Sequence, residues 1–198
     1  MALPIDGLPL TASALRERPI VLIGYRGTGK STIGPLIAER LARSGVWSRF
    51  VDTDDEVELA SGVAIATIFA TEGEDAFRKL ESRTLEASLR AGGVIATGGG
   101  VVVADANRKR LQKVRGVVVW LRASVETIAD RIAGDDARPS LTELSPLEEV
   151  RTKLAERDNW YAECATHTVE TDRVDVDTAA DAIISFWRTA ALASEGQP

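Results

Sequence analysis

One stretch constrains this chain more than any other: Gly24-Tyr25-Arg26-Gly27-Thr28-Gly29-Lys30-Ser31-Thr32. The apolar run Pro19-Ile20-Val21-Leu22-Ile23 before it reads as a buried strand. After it, apolar residues at 33, 36, 37, 41 and 42 fall on one helical face, and Gly45 is a stop signal. Strand, glycine-rich turn and helix are the context in which G-x-x-x-x-G-K-[ST] forms a phosphate-binding loop. Backbone N–H groups can wrap an anion only where no Cβ blocks the approach, which asks for Gly27 and Gly29. The helix that the turn opens favours negative charge at its N-terminus. Lys30 can reach the β- and γ-phosphates of a nucleoside triphosphate, and the Ser31 hydroxyl can ligate its Mg²⁺.

The rest of the chain narrows the setting. Its 198 residues suit one domain with a substantial core. A formal net charge of −6 argues against nucleic acid or an anionic membrane as the main partner. One cysteine, Cys164, excludes an internal disulfide and a cysteine-based metal site, and suits a reducing cytosol. One histidine, His167, excludes a His-rich metal site. Cys164 and His167 read as structural residues. No apolar run approaches the roughly 18 residues of a membrane span. Residues 1–18 lack a basic start and an apolar core, so no signal peptide is expected, only a loosely ordered lead-in. Residues 19–193 are expected to form a single domain.

Strands and helices alternate along the chain. A second strand runs from Trp47 to Asp52, and Thr53 or Asp54 starts a helix that Gly62 stops. A short helix is expected over Ile65–Thr71 and a longer one over Gly73–Ala87. Val94-Ile95-Ala96-Thr97 is a buried strand meeting Gly98-Gly99-Gly100. A basic helix follows over Ala104–Val114. Val117-Val118-Val119-Trp120-Leu121 is the most strand-like run, expected at the centre of a parallel sheet. Ser124 caps a helix to Ala133. Gly134–Ser145 reads as a mobile loop, and Pro146 opens a helix through Ala165. A strand at Thr168-Val169-Glu170 and a helix capped by Asp177 or Thr178, ending near Ala193, complete an α/β chain. Ligands of such sheets bind beyond the carboxyl ends of the strands.

That rule selects the candidates. Asp52 can face the Mg²⁺ held by Ser31, and Asp54 can meet an acceptor hydroxyl and take its proton. The same Asp-x-Asp is also a common helix start. Arg78 and Glu81 could be a surface pair of about 0.2–0.5 kcal/mol, and Arg157 could sit on a solvated face. Arg138-Pro139, in a polar flexible stretch, suits a lid that carries a cation to the phosphates and excludes water. The three glycines at 98–100 let backbone approach a ligand closely.

Taken together, Gly24-x-x-Gly27-x-Gly29-Lys30-Ser31-Thr32, Asp52-Thr53-Asp54, Phe77-Arg78-x-x-Glu81, Gly98-Gly99-Gly100, Arg138-Pro139 and Arg157 resemble the shikimate kinase family in order and spacing. The resemblance implies a nucleoside-monophosphate-kinase-like fold: a three-layer α/β/α P-loop kinase with a five-stranded parallel sheet, a substrate-binding region and a mobile lid at about 134–145. It implies transfer of the ATP γ-phosphate to the 3-hydroxyl of shikimate, with Mg²⁺, in aromatic amino-acid biosynthesis. By the match, Asp54, Arg78, Gly99, Gly100 and Arg157 bind shikimate, and Arg78 with Arg157 can clamp its carboxylate. Gly27, Thr28, Gly29, Lys30, Ser31 and Thr32 hold ATP, Arg138 meets the phosphates from the lid, and Ser31 with Asp52 serves Mg²⁺. Lys30, Asp54 and Arg138 are the catalytic set. Arg173 is a candidate on the adenine side, where no motif fixes the contact. Ser140 stands in the lid where an apolar residue is expected. A cytoplasmic monomer is expected.

Two other readings compete. Another small-metabolite kinase of the same fold, such as gluconate kinase, would share Lys30, Ser31 and a lid arginine, without needing Asp54, Arg78, Gly99 and Arg157. A non-catalytic nucleotide-binding regulator would use the phosphate loop alone. A guanine-specific switch would want Asn-Lys-x-Asp, and neither Asn107 nor Asn159 begins one.

Overall fold

The computed structural model describes residues 14–133 and 145–193. In chain order the elements are α1 (Ala14–Glu17), β1 (Ile20–Ile23), α2 (Lys30–Arg43), β2 (Phe50–Asp52), α3 (Thr53–Ser61), α4 (Ile65–Thr71) and α5 (Glu74–Ala91). They continue with β3 (Val94–Ala96), α6 (Asp105–Leu111), β4 (Val117–Arg122), α7 (Val125–Ile132), α8 (Pro146–Cys164), β5 (His167–Glu170) and α9 (Val176–Ala193). The lid expected from Gly134 onward, with Arg138 and Ser140, lies outside the described residues, as does most of the lead-in.

The five strands form one parallel sheet in the order β2-β3-β1-β4-β5. β1 and β4 are buried on both faces, which is why they read as unbroken apolar runs. Their period of two is visible only in the packing. Ile20 and Leu22 join Val117, Val119 and Leu121 under α2 and α9. Val21 and Ile23 join Val118 and Trp120 on the opposite face, with Leu85 of α5, Leu111 of α6 and Tyr161 of α8. The central strand is β1, not β4 as expected. An apolar run shows that a strand is interior, not where in the order it lies.

Several boundaries differ from the sequence reading. α3 starts at Thr53, as expected, and Asp52 is its N-cap: its side chain accepts from the Asp54 N–H at 3.0 Å. Asp52 closes β2 and opens α3 with no intervening turn. Trp47–Arg49 precede β2 rather than belonging to it, and α5 extends to Ala91. Ser124 caps α7 as expected, and Ser145 with Glu148 forms a capping box ahead of Pro146 on α8. The end of the lead-in is docked: the Arg18 guanidinium donates to the Ala191 carbonyl at 2.7 Å, and the Trp187 indole donates to the Arg18 carbonyl at 2.7 Å. Gly34 lets α2 close on β2, since a Cβ there would meet the Phe50 ring at 2.2 Å.

The topology decides where a ligand can go. β1 has β3 on one side and β4 on the other, so the loops after β1 and β3 open side by side at the carboxyl edge of the sheet. A small helical cluster built on Val57 of α3, Ile68 of α4 and Phe77 of α5 walls this edge.

Candidate active site

The loop after β1 has the backbone its glycines permit. Gly24, Gly27 and Gly29 adopt φ of 140°, 77° and 93°. A Cβ at Gly24 would stand 2.3 Å from the Leu121 carbonyl oxygen, so the loop lies directly against the end of β4. Gly29 occupies the N-cap of α2 in the left-handed region and offers no side-chain cap, and the first turn of α2 carries no acidic residue. This helix start is built for an anion from outside. Lys30 is 7% exposed, and its ammonium donates to the Gly24 and Tyr25 carbonyls at 2.8 and 2.7 Å. It is folded over the loop that it serves. Thr28 ties the same turn by donating to the Tyr25 carbonyl at 2.8 Å.

Two oxygens meet at the mouth of this loop. The Ser31 hydroxyl donates to Asp52 Oδ2 at 2.6 Å, while Asp52 Oδ1 caps α3. One Asp52 oxygen thus caps the helix, as one reading of the Asp-x-Asp pair has it, and the other meets the Ser31 hydroxyl. Adjacent hard oxygens suit Mg²⁺, which takes few protein ligands and keeps several waters.

Beside the loop lies a cavity of about 180 Å³. Its walls bring together Asp54, Arg78, Gly99, Gly100 and Arg157, five candidates drawn from four separate stretches of sequence. Phe69 and Phe77 supply an apolar side. The Arg78–Glu81 pair is no surface ornament. Glu81 is 1% exposed and accepts from Arg78 at 2.9 Å, while Glu74 accepts from the other edge of the guanidinium at 3.0 Å. Burial pushes the Glu81 carboxyl above the usual carboxylate range, against the pull of Arg78. The glycine turn is shaped around these groups. A Cβ at Gly98 would meet Asp54 Oδ1 at 2.5 Å, and one at Gly100 would meet Arg78 Nη1 at 2.3 Å. Arg157 is likewise not a solvated surface residue. It donates to the Gly99 carbonyl at 3.1 Å and lies over the Tyr25 ring at 5.6 Å.

Sequence reasoning missed four residues here. Arg26, Glu149 and Lys153 also line the cavity. Arg131 of α7 donates to the phosphate-loop carbonyl of Gly27 at 3.2 Å and to the Thr171 carbonyl at 2.8 Å. No local motif marks any of them. Arg173 is exposed in the turn after β5 and does not line the cavity, whereas Arg131 reaches the loop itself. Cys164 is buried, and desolvation pushes its thiol up to about 11, which suits an inert core residue. His167 stacks on Phe186 at 4.2 Å. Among the described residues no helix is long and apolar enough to cross a membrane.

Comparison with known proteins decides the family. The profile of the shikimate kinase family matches residues 26–188. The shikimate kinase of Bordetella avium is 38% identical over 184 residues, 92% of this chain and 85% of that protein. The Pseudomonas fluorescens enzyme is 45% identical over 156 residues, 78% of this chain and 87% of that one. The chain belongs to the shikimate kinase family. A solved shikimate kinase from Acinetobacter baumannii, in complex with shikimate, superposes with a TM-score of 0.79 at 34% identity, covering 95% of this chain and all of that one. A gluconokinase from Sinorhizobium meliloti shares the fold alone, with a TM-score of 0.60 at 17% identity. Membership in the shikimate kinase family disfavours the gluconate kinase and regulator readings.

Proposed function

We propose that this chain transfers the γ-phosphoryl group of ATP to the 3-hydroxyl of shikimate, giving shikimate 3-phosphate and ADP. The observation that carries the reading is one cavity that brings Arg78, Arg157 and Asp54 together beside a phosphate loop whose helix has no side-chain cap. A small polyol carboxylate needs that set. Arg78 and Arg157 can take its carboxylate, and Asp54 can take a hydroxyl proton. Phosphoryl transfer asks the protein mainly for alignment and charge neutralisation. The N-terminus of α2 and Lys30 receive the phosphates, Asp54 orients the hydroxyl oxygen that forms the new P–O bond, and the bond to the ADP oxygen breaks. Ser31 and Asp52 would hold Mg²⁺, which when bound neutralises phosphate charge. We further infer a cytoplasmic monomer partnered by neither nucleic acid nor membrane, in keeping with the net charge of −6.

The test is ADP release with ATP and Mg²⁺, run in parallel with shikimate, gluconate and nucleoside monophosphates. Release with shikimate alone is expected. Release with gluconate instead would overturn the roles given to Arg78 and Arg157.

The glycine turn supplies a finer test. A methyl at Gly100 would strike the flexible end of Arg78, so Gly100→Ala should displace the guanidinium without breaking the fold. The expected result is a KM for shikimate raised about tenfold, or ~1.4 kcal/mol, with the melting temperature and the KM for ATP little changed. An unaltered KM for shikimate would remove Arg78 from the substrate contact.

A further inference from the structure

Glu149 lies in the first turn of α8, yet it is only 3% exposed. Its neighbour Glu148 makes the capping box with Ser145, so Glu149 is not needed there. A carboxylate this deep calls for a cation. Arg26 provides one, donating from Nη2 to Glu149 Oε1 at 3.3 Å. Arg26 occupies a phosphate-loop position whose side chain the motif leaves open. Among the described residues, four buried side-chain polar atoms have no hydrogen-bond partner, and two of them are Nε of Arg26 and Nε of Arg157. Both arginines line the same cavity. A buried donor without an acceptor is unfavourable unless a ligand supplies one.

The elements hold this pair in register. Glu149, Lys153, Arg157 and Tyr161 follow one another at four-residue intervals along one face of α8. That face meets the phosphate loop: Glu149 grips Arg26, and Arg157 covers Tyr25. The Gly99 turn passes close behind the Arg26 backbone, where a Cβ at Gly99 would stand 3.0 Å from the Arg26 nitrogen.

We propose that Arg26 is a further substrate-facing cation of this site and that Glu149 is its positioning residue. The proposal rests on the phosphotransferase reading. Glu149 anchors one arm of the guanidinium and leaves Nε–H as a directional donor on the acceptor side of the phosphate loop. The group it takes is an anionic oxygen, either of the acceptor's carboxylate or of the phosphoryl group in transit. Because Glu149 balances the charge, the site gains a directed hydrogen bond without excess positive charge. Lysine, a point charge without a fork, cannot do both.

The test compares the wild-type chain with Arg26→Gln, Arg26→Lys, Glu149→Gln and the Arg26→Gln/Glu149→Gln double variant. Steady-state ADP release is combined with calorimetric binding of ADP, shikimate and shikimate 3-phosphate. Arg26→Gln is expected to lower kcat/KM for shikimate about tenfold and to leave the Kd of ADP within about threefold. Arg26→Lys should recover only part of the loss. Glu149→Gln should lose about threefold, and the double variant should be no worse than Arg26→Gln, because Glu149 acts through Arg26. A raised shikimate Kd identifies the carboxylate as the partner. A lowered kcat with weakened shikimate 3-phosphate binding, at constant shikimate Kd, identifies the phosphoryl group. An active wild type matched by Arg26→Gln in rate and in all three affinities overturns the proposal alone. Losses that add fully in the double variant overturn the role of Glu149. A wild type that releases no ADP with shikimate overturns the functional reading and this proposal with it.

Discussion

Replacing Lys30 by alanine is expected to lower kcat by about three orders of magnitude, the scale on which a single directed charge-stabilising group acts in a closed site. Two effects combine. The variant loses the cation proposed to meet the phosphates. It also loses the ammonium that donates to the Gly24 and Tyr25 carbonyls at 2.8 and 2.7 Å, so the loop is no longer drawn together from within. Lys30 is nearly buried, so water replaces those contacts poorly. The glycines remain free to adopt their left-handed angles, and the helix start still attracts an anion. Nucleotide binding should therefore fall far less than turnover. Rates of ADP release together with calorimetric ADP binding separate the two effects. A variant that keeps half its rate would sink the phosphate-loop mechanism.

What the sequence disclosed, and what it hid, follows from how far each feature reaches along the chain. The phosphate loop, the Ser124 cap and Pro146 at the start of α8 are local, so spacing and residue type suffice to find them. The apolar runs of β1 and β4 disclose strands buried on both faces, yet both look alike from outside, and only pairing shows that β1 is central. The Asp-x-Asp pair announces a helix start, and Asp52 takes the cap because the strand and the helix share it without a loop residue between them. Arg78 and Arg157 each had an ordinary reading as surface charges. Burial of Glu81 and the turn at Gly99 remove that reading, and both are tertiary facts. Arg26 and Glu149 are 123 residues apart in sequence, and Arg131 grips a backbone carbonyl, which carries no residue signature. Sequence spacing cannot announce such contacts. They arise where α7 and α8 fold back on the loop that follows β1.

Arg157→Ala is the second large effect, and it should fall on one substrate. The affinity for shikimate is expected to drop about a hundredfold, close to 2.7 kcal/mol, near the upper end of what a hydrogen bond to a charged group is worth. The KM for ATP should stay within about threefold, because Arg157 touches the Gly99 turn and the Tyr25 ring rather than the start of α2. The fold should tolerate the change. The Gly99 carbonyl still accepts from the Tyr161 hydroxyl at 2.5 Å, and burial raises the pKa of that hydroxyl, which keeps its proton and remains a donor. The melting temperature therefore separates loss of a ligand contact from loss of the turn. Arg157→Lys sharpens the result: it restores a positive charge without the planar fork, so partial recovery is expected where two oxygens of one carboxylate are held together. Equal weakening of shikimate and ATP would count against a carboxylate clamp. It would mean instead that Arg157 supports the phosphate loop through Tyr25.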